Sequence, residues 1–215
     1  MRKMLAILTA GLAAVALMAA SAQAAPLISY ETTTEDGNKV TGTALFGFED
    51  NANPPPDIYM TLLVTNTSAD ESIITAIAFD LPSGYANFSF DDTNGWVLET
   101  VVGGPLAGFD VCIATPTGSC TGGNPDTGVQ AGSSLLFGFS FNSELTASEF
   151  QALTVAGYND GTLKSIARFQ QVGPDGEDSA FAPGTPVPEP ATLAMLGLGL
   201  LGLAAIGRRK RGLKS

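Results

Sequence analysis

The chain reads as an all-β protein: a single antiparallel β-sandwich, jelly-roll or immunoglobulin-like, with one short helix in the body and an apolar helix at each terminus. Three observations predict it. Apolar and polar residues alternate with period two through several short runs, which gives sheets one buried face and one wet face. Clusters of Gly, Pro, Asn and Asp punctuate those runs, as strand connections require. Long apolar stretches without charge occur near the two ends, at 4–20 and 191–206. Many short strands with regular turn punctuation favour an antiparallel sandwich.

Taken from the amino end, Arg2 and Lys3 precede the apolar run, and Ser21-Ala22-Gln23-Ala24-Ala25-Pro26 follows it. That is the order of a secretory signal peptide over residues 1–24. The small residues Ala22 and Ala24 place the signal peptidase cut between Ala24 and Ala25, because cutting one residue later would put Pro26 after the scissile bond. A β-sandwich domain is expected over 25–172. A weaker strand is expected at 27–33, and a partly alternating strand follows at 40–48. Pro54-Pro55-Pro56 is a stiff extended bend. Ile58, Met60, Leu62 and Val64 alternate cleanly up to a turn at Thr65-Asn66-Thr67-Ser68.

The next run, 73–81, is expected to put Ile73, Thr75, Ile77, Phe79 and Leu81 on one face. In 135–141 an aromatic recurs at every second place from Phe137. Weaker strands are expected at 86–90, 96–102, 109–113 and 163–172. One helical motif interrupts the pattern. Thr146-Ala147-Ser148-Glu149 is a capping box, followed by Phe150 and Leu153, and predicts one or two turns connecting two strands. From 173 to 186 the chain turns to Gly, Pro and acid, and reads as a linker lifting the domain off a membrane.

Charge narrows the function. The chain holds 21 acids, ten bases and no histidine. All the acids lie between Ala25 and Pro190, where only Lys39, Lys164 and Arg168 oppose them, a formal −18. Such a body repels nucleic acid and anionic headgroups and has no basic patch for phosphates. No nucleic-acid partner is expected. Cys112 and Cys120 stand eight positions apart in a Gly/Thr/Pro-rich loop. In an oxidising exported compartment a local disulfide is the default, contributing about 2–3 kcal/mol through the small ring it closes.

Without histidine the chain cannot build a Ser-His-Asp triad, a Cys-His pair or a His-ligated zinc site. Paired carboxylates are the remaining catalytic option: Asp91-Asp92, Asp175 with Glu177 and Asp178, and Glu144 with Glu149. Their simpler role is to cap turns and solvate loops. Asp91-Asp92-Thr93-Asn94-Gly95 and Asp175-Gly176-Glu177-Asp178 also offer hard oxygen ligands for calcium, but neither has the twelve-residue loop ending in a bidentate Glu. Trp96, near Tyr85 and Phe88 in sequence, is either core or a stacking platform for a sugar ring. No metal, cofactor or catalytic residue is assigned.

The carboxyl end, 187–215, is the most specific segment. Val187-Pro188-Glu189-Pro190 precedes sixteen uncharged residues at 191–206, then Gly207-Arg208-Arg209-Lys210-Arg211. Sixteen helical residues reach about 24 Å against a hydrocarbon core of roughly 30 Å, enough to span with snorkelling or thinning. The basic cluster at 208–211 would stay cytoplasmic, leaving the body on the far side. Pro188 and Pro190 stop the helix and hold Glu189 on extended backbone.

With the signal peptide, this order resembles the PEP-CTERM proteins of Gram-negative bacteria. The resemblance covers only the two ends. It implies processing by exosortase, with Pro188, Glu189 and Pro190 as the recognition element, Val187 adjoining it, and Arg208, Arg209, Lys210 and Arg211 as the stop. It also implies an association with exopolysaccharide, biofilm or the cell surface. The expected protein is therefore exported, anchored in the inner membrane with its body in the periplasm, then moved to the surface or matrix as a non-enzymatic structural component. A carbohydrate- or calcium-binding module, with extracellular polysaccharide as its partner, is the alternative. A glycan-active enzyme using paired carboxylates is the second.

Overall fold

A computed structural model describes residues 25–51, 57–91, 95–99, 105–116, 120 and 123–187. The expected signal peptide, the bend at Pro54-Pro55-Pro56, the apolar segment 191–206 and the basic cluster 208–211 lie outside the described residues. Eleven strands form in chain order: β1 (Leu27–Thr33), β2 (Lys39–Asn51), β3 (Asp57–Asn66), β4 (Ile73–Phe79), β5 (Tyr85–Asp91), β6 (Val97–Leu98), β7 (Val111–Ala114), β8 (Val129–Gln130), β9 (Ser134–Ser143), β10 (Ser165–Val172) and β11 (Asp178–Pro186). One α-helix among the described residues, α1 (Ala147–Asp160), joins β9 to β10.

All pairings are antiparallel, and the strands form one ladder in the order β5-β9-β3-β2-β1-β11-β10-β4-β7-β6, with β8 beside β4. The all-β expectation holds. The strands form one sheet that curls until it is nearly closed like a barrel, rather than clearly a sandwich of two separate sheets. β11 makes the corner. Its residues 178–183 pair with β10, and 184–186 pair with β1. At Gly184 a Cβ would lie 2.6 Å from Ile28 Cγ2 and 3.1 Å from the Ser165 carbonyl, so only glycine lets the two neighbours approach there.

The curl is visible in ring contacts between distant strands. Phe46 of β2 meets Phe79 of β4 edge-on at 5.4 Å, and Phe79 meets Phe139 of β9 at 5.9 Å. Trp96, just before β6 at one end of the ladder, packs 4.8 Å from Phe137 of β9 near the other. Alternation drives this packing. Inward residues Ile28, Tyr30, Ala44, Phe46, Ile58, Met60, Leu62, Val64, Phe137, Phe139 and Phe141 are all buried, and their neighbours face outward.

β4 breaks the expected pattern, since all seven of its residues are buried. The pairing with β10 shifts register between Arg168 and Phe169, a bulge that moves Ile74, Ile77 and Phe79 into the main core. Ile73, Thr75, Ile77, Phe79 and Leu81 therefore do not share one regular face. On the reverse side a smaller core forms from Ala76, Ala78, Leu106, Cys112, Ala114 and Cys120. Both faces of this half are covered, so no wet face is left for polar residues to mark.

Other boundaries move as well. The runs expected at 96–102 and 109–113 become the short β6 and β7, and β8 has no expected counterpart. The helix is longer than the one or two turns predicted. It runs fourteen residues, about 21 Å. Its start matches the capping box: Thr146 Oγ1 accepts from the Glu149 N–H, and Glu149 accepts from the Thr146 N–H. Asp50 on β2 adds a carboxylate that accepts from the Ala147 N–H at 2.6 Å. The buried face is Ala147, Phe150, Thr154, Gly157 and Tyr158, with small or polar members that disguise its period. Phe150 packs on Phe48 and Phe141, and Tyr158 on Phe46, so α1 plugs one open side of the curl.

The largest correction concerns 173–186. The expected linker is a hairpin turn followed by β11, a strand in the middle of the ladder. Its Gly, Pro and acid content looked incompatible with a core. Yet Ala182 is fully buried, Pro183 sits at the corner where the strand changes partners, and Pro186 ends the strand opposite Ile28.

Candidate functional site

The two ends of the domain meet. Because β1 and β11 are antiparallel, the first residues of one lie beside the last residues of the other, with Ile28 opposite Pro186. Beyond the ladder, the Val187 N–H donates to the Leu27 carbonyl at 2.8 Å. The Phe46 N–H donates to the Pro26 carbonyl at 3.0 Å, which fixes the incoming chain against β2. Ala25, the first residue after the expected cut, and Val187, the last before Pro188, thus leave from adjacent strands, whose spacing is about 4.8 Å. Ala24, Pro188, Glu189, Pro190, Arg208, Arg209, Lys210 and Arg211 lie outside the described residues.

This geometry has a mechanical result. Val187 is hydrogen-bonded to the sheet and Pro188 follows it directly, so the Pro-Glu-Pro tripeptide begins without a spacer.

Cys112 on β7 and Cys120 stand at disulfide distance, their Cα atoms 6.3 Å apart and both side chains about 1% exposed. That separation lies inside the usual disulfide range. The pair belongs to the smaller core with Leu106, Ala76, Ala78 and Ala114 on the outer side of β4 and β7.

The acids proposed as catalytic pairs are distributed rather than focused. Glu149 is occupied by the helix cap, whose N–H and hydroxyl donors from Thr146 hold its carboxyl below the usual range. Asp91 ends the edge strand β5 opposite Gly138, whereas Glu144 follows the far end of β9. Asp175 and Glu177 lie in the β10–β11 turn and Asp178 opens β11, while Asp92 lies outside the described residues. No group of three or more Cys, Asp or Glu side chains among the described residues is placed to hold a metal ion.

Trp96 is core. Fully buried, it donates its indole N–H to the Thr127 carbonyl at 3.0 Å and packs on Phe137 rather than on Tyr85 or Phe88. The aromatic pair that does sit at a surface is Tyr85 with Phe88, 5.8 Å apart on β5. Tyr85 borders a cleft of about 610 Å³ with Ser83, Gly84, Asn142 and Glu144. Burial, with Asp110 and Asp80 nearby, pushes its phenol pKa up. Asn142 is already engaged by Asp57 and Asn87, so Tyr85, Glu144 and the Ser83 hydroxyl are the main chemistry this cleft has to offer.

Three polar features escaped sequence reasoning because long-range contacts create them. Asp80 accepts from the Lys164 N–H at 2.9 Å, and Asp110 from the Leu81 N–H at 3.0 Å, together tying the ends of β4 and α1 to the approach of β7. Burial above all, with Asp110 adding to it, raises the Asp80 pKa against the Lys164 hydrogen bond. Asn66, expected in a turn, is fully buried and ties β3 to β8. Arg168 lays its guanidinium 5.4 Å above the Phe181 ring, with Nε and Nη1 buried and lacking a hydrogen-bond partner among the described residues.

Comparison with known proteins bears on the carboxyl end. Residues 186–211 match the PEP-CTERM protein-sorting motif, the mark of a chain targeted by exosortase and of a C-terminal sorting signal. The match opens at Pro186, inside β11, so the sorting element and the sheet share a residue. No curated protein and no solved structure matches the chain.

Proposed function

We propose that this PEP-CTERM-bearing chain is a non-enzymatic structural protein of the cell surface or extracellular matrix, delivered through the inner membrane and freed or transferred by exosortase. Signal peptidase cuts after Ala24, the segment at 191–206 halts export before Arg208, and exosortase acts near Pro188, Glu189 and Pro190. The disulfide between Cys112 and Cys120 closes in the periplasm. The observation that carries this reading is the sorting motif fused without spacer to the last strand of a β domain. An acidic β domain suits a role in a hydrated polysaccharide matrix, where net charge keeps it soluble.

The test is mass spectrometry of the mature protein from a host with the matching exosortase. Glu189→Ala leaves insertion intact and abolishes tail removal, so the variant keeps residues through Ser215. Normal processing of that variant refutes the role given to Glu189.

The cleft bounded by Tyr85 and Glu144 favours the second reading, a carbohydrate-binding module. Pull-down on extracellular polysaccharide separates the two.

A further inference from the structure

The outward faces of four neighbouring strands, β1, β2, β3 and β9, place apolar residues in a single row. Register sets Leu27 opposite Leu45, Leu45 opposite Leu63, and Leu63 opposite Leu136. Val187 extends the row at its near end through its bond to Leu27. Exposure is 40% at Val187, 37% at Leu45 and at Leu63, and 55% at Leu136. Isolated exposed leucines are ordinary, but an aligned row across adjacent strands is a continuous apolar strip.

Its surroundings are unusual for so acidic a body. One flanking row is Ser29, Thr43, Thr65 and Ser134, and the other on β2, β3 and β9 is Gly47, Thr61 and Gly138. None of these is charged, although the body carries a formal −18. The strip and its borders therefore form a neutral window onto the acidic surface.

We infer that this leucine row is the face on which the tethered domain rests against the bilayer that holds its tail. The inference rests on the sorting reading above, and the chain's own length supplies the argument. The row begins at Val187, and the sixteen-residue apolar segment begins at Ala191. Four residues of extended chain span at most about 14 Å, so a membrane-inserted tail holds this end of the row within that distance of the headgroups. Leucine and valine lower their free energy by entering the headgroup–acyl boundary, and the uncharged flanks remove the repulsion that the rest of the body would meet there. The contact holds the end of β11, and the Pro188 junction with it, at the level where a membrane-embedded enzyme works.

The experiment uses the full chain in vesicles of phosphatidylethanolamine and phosphatidylcholine with brominated acyl chains. Leu63→Trp and Leu136→Trp are compared with Leu98→Trp, an exposed position on the β6 edge, all with the buried Trp96 as constant background. Flotation with the vesicles is read separately. The expected result is flotation of all three, with loss of about half of the added emission at positions 63 and 136 and little at 98, as residues within roughly 5–10 Å of the acyl boundary meet the bromines. A floating chain whose tryptophan at 63 and 136 is untouched by bromine overturns the inference and leaves the sorting reading standing. Shielding of those positions from aqueous quencher, but not by bromine, overturns it in favour of a second copy covering the row. A chain that does not float removes the anchor itself, and the resting face with it.

Discussion

Asn66→Ala is expected to be among the most damaging single changes to this domain outside the apolar core. The side chain is fully buried where β3 ends. Its amide donates to the Ser72 carbonyl at 2.9 Å and the Val129 carbonyl at 3.0 Å, and its oxygen accepts from the Ser68 N–H at 3.1 Å. These bonds join β3, in one half of the curled sheet, to β8 and the start of β4 in the other. Alanine would remove all three bonds and take from the buried Ser68 N–H its acceptor, while the Ser72 carbonyl keeps only the Ala131 N–H at 3.1 Å. At about 1 kcal/mol net for each bond, the loss is about 3 kcal/mol, which lowers Tm by about 6–12 °C in a domain of this size. Urea denaturation followed by the emission of Trp96 measures it, with Thr67→Ala as the control. That hydroxyl bonds Thr41 Oγ1 at 2.9 Å on the exposed surface, and its loss is expected to cost no more than about 0.5 kcal/mol. If Asn66→Ala stays within about 1 kcal/mol of the parent, the side chain does not hold the curl together and the two halves are joined by apolar packing alone.

Two further predictions test the corner and the acid pair. Gly184→Ala forces a methyl against Ile28 Cγ2 and the Ser165 carbonyl, costing about 1–3 kcal/mol and speeding hydrogen exchange at the Val187 amide. Unchanged exchange there would show that the corner does not fix the exit of β11. Asp80 has a folded pKa above its ordinary value, so its contribution to stability is present at pH below the unfolded pKa and is lost as pH climbs through the folded one. Asp80→Asn keeps an oxygen for the Lys164 N–H but no longer titrates. Its stability relative to the parent should therefore rise with pH across the acid range and level off above the folded pKa. Denaturation at a series of pH values reads this, and a difference that stays flat refutes it.

Alternation made β1, β2, β3 and β9 legible, because each has one buried and one wet face and the residues record it. The same logic failed on β4 and β7. Their second face is covered by Leu106 and Cys120, a contact invisible in a local window. The helix start was legible because a capping box is a local motif. Its length was not, since Thr154 and Gly157 are buried by what they touch rather than by apolar character.

What the sequence by itself determined is the address. The Pro-Glu-Pro tripeptide and the apolar and basic residues after it are contiguous in the chain, so that sorting motif can be read from order alone. What only tertiary structure decided is that 173–186 is not a tether but the strand at which the sheet turns its corner. Its glycine and prolines satisfy contacts with Ile28, Tyr30 and Ser165 from distant parts of the chain. The closeness of the two ends, and the apolar row that starts between them, follow from that antiparallel pairing. Register between strands far apart in sequence is set by the packing of the whole sheet, and no single stretch of residues encodes it.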